Sequence, residues 1–354
     1  VHTLPITAAD SISLALEHTK QQLLRPFRIA QWTKLAFVGL LAGELGSKGC
    51  SRSNFNLPGH PETAPHPGFP GSLGIDPALL AALSALLGAV IVAGLAIGLI
   101  LMYVGSVMRF VLFDSILSRE CHIRWSWSRR LGDGWRYFVW KLLYLLLAAA
   151  GIAIVAGIPL VIAFTQGWIR QPKEHLPALV SGGVILFLLL LCFAVATAVI
   201  FILTKDFVVP QMALENVGAM EGWRRLWPMM QAETGAYAAY VGLKIVLAIV
   251  AGFIIGIATL ILGVIFVVPT VGLSILAILT GKTAGMTWNA HTIFLAVAVG
   301  TILLAVFLYL VSLISVPAIV FFPAYSMHFF AGRYPRLAAA LYPAPPVTRA
   351  SAGP

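Results

Sequence analysis

The sequence predicts an all-α polytopic membrane bundle. About six membrane segments pair as three helical hairpins, and cytoplasmic interfacial elbow helices join them. Three observations lead there. Apolar residues make up 60% of the chain and charged residues 10%, with mean hydropathy +0.93, far from the roughly half apolar and quarter charged of soluble domains. Long uncharged runs alternate with short basic, tryptophan-rich stretches. Those stretches recur, with the clearest pair about ninety residues apart, as in a repeat architecture.

The N-terminal 30 residues come first. Residues 1–20 are mixed polar, with no apolar core before a small-residue cleavage site, so no cleavable signal is expected. Thr7 and Asp10 have capping-box spacing, and Arg25-Pro26 stops the helix they open, because proline disfavours helix in the residue before it. Ile12, Leu16, Leu23 and Phe27 suit a helix lying on the membrane surface; a helix packed on the bundle fits equally well.

The membrane domain is expected over 31–335. Its first segment, 32–45, holds only LAFVGLLAG between Lys34 and Glu44, short of the roughly twenty residues a span needs. It is either a short crossing or a re-entrant half-helix. A Gly/Pro-rich loop follows to Pro77, where His60, Glu62 and His66 read as scattered polar residues, not a metal site. Further segments are expected at 79–113, 141–165, 178–204, 241–280 and 292–323, with Pro159 and Pro269 near the far ends of theirs. Gly94 with Gly98, and Gly252 with Gly256, have the spacing that lets another helix approach closely. Residues 336–354 read as a disordered Pro/Ala/Ser tail.

Two elbows carry the basic residues. The first runs from Phe113 to Lys141 and contains Arg124, Trp125, Trp127, Arg129, Arg130 and Arg136. The second, after Lys205, places Trp223 and Trp227 at helical spacing with Arg224 and Arg225 elsewhere on the wheel. These ten residues are the candidates for contacting anionic lipid headgroups. Ser128-Arg-Arg-Leu131 matches Trp223-Arg-Arg-Leu226, and Trp140-Lys141 opens a span as Trp32-Thr-Lys34 does. Eighteen of the twenty-three Lys and Arg residues fall on the elbow side. Positive residues mark the cytoplasmic face, so both termini are expected inside.

Other chemistries find little support. The +10 charge is spread beside apolar spans instead of along one face, which excludes a nucleic-acid partner. Cys50, Cys121 and Cys192 fall outside, inside and within the membrane, so no disulfide is expected. No Gly-x-Ser-x-Gly, His-Glu-x-x-His or Walker motif occurs, so neither catalysis, a metal nor a cofactor is expected. Asp114, Asp133, Asp206, Glu215 and Glu221 are expected to pair with nearby arginines or cap helices. Lys34, Lys141 and Lys244 should snorkel to the surface as anchors.

Phe207-Val-Val-Pro210 followed by Ala219-Met-Glu-Gly-Trp-Arg-Arg-Leu-Trp227 resembles the integral membrane domain found with some glycerophosphodiester phosphodiesterases, and related stand-alone bacterial membrane proteins of unknown function. The resemblance covers roughly residues 100–330. The catalytic barrel of those enzymes has no counterpart here, so their activity does not carry over. The resemblance implies a bacterial inner-membrane protein working at the lipid surface. The leading expectation is therefore a non-enzymatic membrane protein engaging anionic lipid, or a membrane-protein partner or second copy, through its elbows. The alternative is a transporter or channel for a neutral or amphiphilic solute.

Overall fold

A computed structural model describes residues 6–44, 77–168, 173, 175–283 and 289–343. Cys50, the loop holding His60, Glu62 and His66, and the tail beyond residue 343 lie outside the described residues. Every regular element among those described is helical: α1 Asp10–Leu24, α2 Ile29–Leu41, α3 Pro77–Leu117, α4 Ile123–Thr165, α5 Leu176–Leu203, a π-helical turn Thr204–Val208, α6 Val209–Glu215, α7 Ala219–Ala232, α8 Thr234–Thr283, α9 Ala290–Ala331 and α10 Pro335–Leu341. Five stretches, within α3, α4, α5 with its continuation into α6, α8 and α9, are long and apolar enough to cross a membrane. The short apolar helix α2 has 13 residues, or about 20 Å at 1.5 Å per residue, against a hydrocarbon core of about 30 Å.

The helices share one packed end. Phe110, Leu112, Ile116, Phe207, Met212, Leu226, Tyr240, Tyr325, Phe329 and Phe330 are buried together there. Phe207 sits within 5.0–5.9 Å, centroid to centroid, of Tyr237, Tyr240, Phe329 and Phe330. The other halves of the long helices are bare: Ile91, Leu147, Leu188, Phe253 and Phe294 are all exposed, Phe294 to 75%. Water would not tolerate that much apolar side-chain surface; hydrocarbon would. What pairing exists along these halves joins sequence neighbours. Tyr144 donates to the Thr197 carbonyl at 2.6 Å between α4 and α5, and Phe266 faces Phe307 at 5.7 Å between α8 and α9.

Close approaches use glycines the sequence pattern did not single out. A Cβ on Gly105 would lie 2.7 Å from the Leu41 carbonyl oxygen, so α2 and α3 touch backbone to backbone. Gly134 closes on Val107, side chain and Cα alike, and Gly222 on the Val208 side chain. At Gly94, Gly98, Gly252 and Gly256 a Cβ would meet nothing within 4 Å. These four do not serve as packing positions within this chain, because they lie on the bare halves where the helices have separated.

Two further expectations change, and one of two open alternatives is taken up. The first elbow is not a separate helix. A short turn over 118–122 is followed by one helix, α4, that carries Trp125 through Lys141 straight into the apolar run. No proline interrupts that stretch, whereas the second elbow breaks at Asn216, held left-handed at φ 55°, and again at Glu233. Part of the expected disordered tail is ordered, because Leu337 and Leu341 bury one face of α10 in the core. The N-terminal helix packs on the bundle, chiefly against α9. Its buried face is mostly small and polar, with Ser11, Ala15, His18, Thr19 and Gln22 beside one large apolar residue, Leu23, while Leu16 and Leu24 point outward.

His18 sets a pH dependence for that docking. Its Nε2 lies 3.1 Å from the Ile116 carbonyl, Gln22 donates to the Ser115 carbonyl at 2.9 Å, and the His328 ring stands edge-on at 5.4 Å. Burial first, and the Arg119 charge second, hold the His18 imidazole below its ordinary range. The released ring takes a proton near pH 6.5 and the docked ring does not, so docking is strongest above that pH and weakens as pH falls below it. Amide exchange along α1 is expected to quicken as pH drops below about 6.5, after correction for intrinsic rates, and His18→Gln should flatten that response.

Candidate functional site

The packed end holds an ionic cluster that the run-by-run reading of the sequence missed. Glu44 ends the turn after α2, its amide donating to the Gly39 carbonyl at 2.9 Å. That turn brings the carboxylate against Arg109 on α3, and Lys205 reaches it from the π-helical turn, with Nζ 2.6 Å from Oε2. Glu44 and Arg109 are both buried. The next residue, Asp206, is 2% exposed; it accepts from Tyr240 at 3.0 Å and pairs with Lys244 of α8. A π-helical turn widens the helix locally and often marks functional sites. Here it carries both charged residues, and Trp223 of α7 anchors it by donating to Thr204 Oγ1 at 3.0 Å.

Aromatic rings wall the cluster. Tyr240 stacks on Phe329 at 4.6 Å and on Tyr325 at 5.1 Å, and Lys244 lies over the Tyr240 ring. Arg109, Lys205 and Asp206 line one cavity, so the two ion-pair groups form one site. Lys141, half-buried on α4, is in range of Arg109. The cavity, small and open-sided, adjoins the cluster. Arg109, Lys205, Asp206 and Ser326 form its polar wall; Leu112, Phe113, Val209, Pro210, Pro323 and Met327 form the apolar one.

The sequence carried a faint signal for this site. Lys244 lies ten residues inside α8, flanked on both sides by apolar residues, and Asp206 closes the long uncharged run of α5. Opposite charges at such places can neutralise one another only through tertiary contact. Lys244 is thus a largely buried ion-pair partner and not a surface anchor, its side chain being 12% exposed. Lys34 remains exposed.

The ten headgroup candidates divide into two sets. Trp125 is exposed with the Arg129 guanidinium 5.1 Å above its ring, Arg124 is exposed beside it, and Arg224 and Trp227 point outward from α7. The others are committed within the chain. Arg130 is buried, bonded to Asp114 at 2.7 Å, to Asp133 at 3.0 Å and to the Ala213 carbonyl at 2.7 Å. Arg136 donates to the Asn216 carbonyl at 2.7 Å. Arg225 holds Glu215 at 2.5 Å and Glu221 at 2.9 Å, Trp223 is bonded to Thr204, and Trp127 packs on the core. Asp114, Asp133, Glu215 and Glu221 all pair with arginines as expected; Asp206 takes a lysine.

A family model described only as a family of unknown function, DUF7544, matches residues 6–340. No curated protein and no solved structure matches the chain.

Proposed function

The chain belongs to that family of unknown function, and from this premise we propose that it is a non-enzymatic, multi-pass protein of the bacterial inner membrane that engages anionic lipid with its packed end. In this reading α2 is a short first segment, the five long helices complete six, and both termini are cytoplasmic. The positive-inside bias supports the orientation: Lys and Arg gather at the packed end. Lengths agree. The 43 residues of α4 extend to about 65 Å, twice the hydrocarbon thickness of about 30 Å, so its Arg/Trp-rich part reaches the headgroup level.

The observation that carries the proposal is the two-sided character of α7. Gly222 and Leu226 are buried, while Met220, Arg224 and Trp227, at i, i+4 and i+7, face outward. An apolar, cationic and aromatic exposed face on a helix joining two spans is what lies well in an anionic headgroup layer. Trp125 with Arg129 supplies the same chemistry at the start of α4.

Brominated lipids test this, because they quench tryptophan on contact. In bilayers of defined composition, brominated phosphatidylglycerol is expected to quench more strongly than brominated phosphatidylcholine. Arg129→Gln with Arg224→Gln should remove most of the difference. Equal quenching by the two lipids in the unsubstituted protein would overturn the reading. The transporter alternative draws less support. Pro159 and Pro269 lie within continuous helices, and the cavity adjoins only the packed end.

A further inference from the structure

The ionic cluster is not neutral. Among the described residues Arg109, Lys205 and Lys244 gather with two carboxylates, Glu44 and Asp206. Asp206 is satisfied by Lys244 and Tyr240. Glu44 alone answers both Arg109 and Lys205. A partly buried excess of positive charge is costly without a counter-charge. The cavity opens where the excess lies, since Arg109 and Lys205 are both in its wall. Arg109 gives Glu44 one hydrogen bond through Nη1, and its other N–H groups bond to no group among the described residues. Lys205 likewise uses one of its three donors.

We propose that this cavity is an oxyanion socket that holds one phosphate group between Arg109 and Lys205. Forked guanidinium donors beside an ammonium suit the several acceptor oxygens of a phosphate. The cavity is too small for acyl chains, and its apolar wall, with Val209, Pro210 and Met327, would meet the carbon skeleton attached to that phosphate. A lipid headgroup and a free phosphate share this chemistry. The proposal specifies a discrete site within the proposed lipid-engaging function. It is separable from the outward-facing Arg129 and Arg224, because the socket can be probed without a bilayer.

The test uses the purified full chain in uncharged detergent at constant ionic strength, read by its thermal unfolding midpoint. Inorganic phosphate and dioctanoyl phosphatidylglycerol are titrated separately, with dioctanoylglycerol as the phosphate-free control. A ligand that binds only the folded state raises the midpoint saturably. At least one phosphate-bearing probe is expected to do so, and the control is not. Response to phosphatidylglycerol alone assigns the socket to a headgroup; response to inorganic phosphate as well assigns it to the free anion. Lys205→Gln should weaken the response at least tenfold, roughly the loss of one charge-assisted contact. Ser326→Leu, which fills the cavity and removes no charge, should abolish it and decides the matter should Lys205→Gln not fold. No saturable response in the unsubstituted protein, or one unchanged in folded Ser326→Leu, would overturn the proposal. Equal quenching in the bromolipid experiment would leave this test untouched.

Discussion

Replacing Asp206 with asparagine is expected to destabilise the protein by about 3–5 kcal/mol, the cost of leaving one member of a buried ion pair alone. Asp206 is 2% exposed and Lys244 has little access to water. Asparagine keeps an acceptor for the Tyr240 hydroxyl, so the loss isolates the charge. The reciprocal Lys244→Met should cost a similar amount. The double variant D206N/K244M should return to within about 1 kcal/mol of the parent, because an apolar residue in place of a buried charge is often neutral. The measurement is detergent-driven unfolding in mixed micelles for the four proteins of the cycle. Additive losses in the double variant would mean that Asp206 and Lys244 act separately. The ionic cluster would then not be one site.

This pair shows what the sequence could not reveal. Uncharged runs located the five long helices, because period and length are local properties. The ends shifted where local chemistry offered no break: no proline lies between Ile123 and Lys141, so the first elbow merged with its span. Thr7 and Asp10 marked the first helix correctly, with the Asp10 amide donating to Thr7 Oγ1 at 3.1 Å. The ionic cluster was only faintly legible because its members come from residues 44, 109, 205, 206 and 244, and no local pattern says which of them meet. Glycine spacing misled for the opposite reason. The Gly94 and Gly252 motifs are local patterns whose use depends on a neighbour, and along the bare halves none comes near them. Gly105 and Gly134 lack such a motif yet sit where helices cross at the packed end.

The two Arg-Arg-Leu segments allow the sharpest comparison of pattern with environment. By sequence Arg130 and Arg225 are equivalent, each the second arginine of its pair. Each reaches back to a carboxylate on the preceding helix, Arg130 to Asp114 and Arg225 to Glu215. Their surroundings differ. Arg130 has a side chain 9% exposed, lies between Asp114 and Asp133, and reaches across to Ala213 of α6. Arg225 has a side chain 40% exposed, where water screens its pairs. Arg130→Met is therefore expected to cost about 3–5 kcal/mol, because it strands two carboxylates in a mostly buried setting. Arg225→Met should leave the unfolding midpoint close to the parent's. Arg130→Lys should recover only part of the loss, since an ammonium cannot span both carboxylates as the planar fork does. Unfolding of these three variants in mixed micelles, beside the parent, reads the difference. Equal losses at positions 130 and 225 would show that the shared Arg-Arg-Leu pattern, and not burial, sets what each arginine contributes.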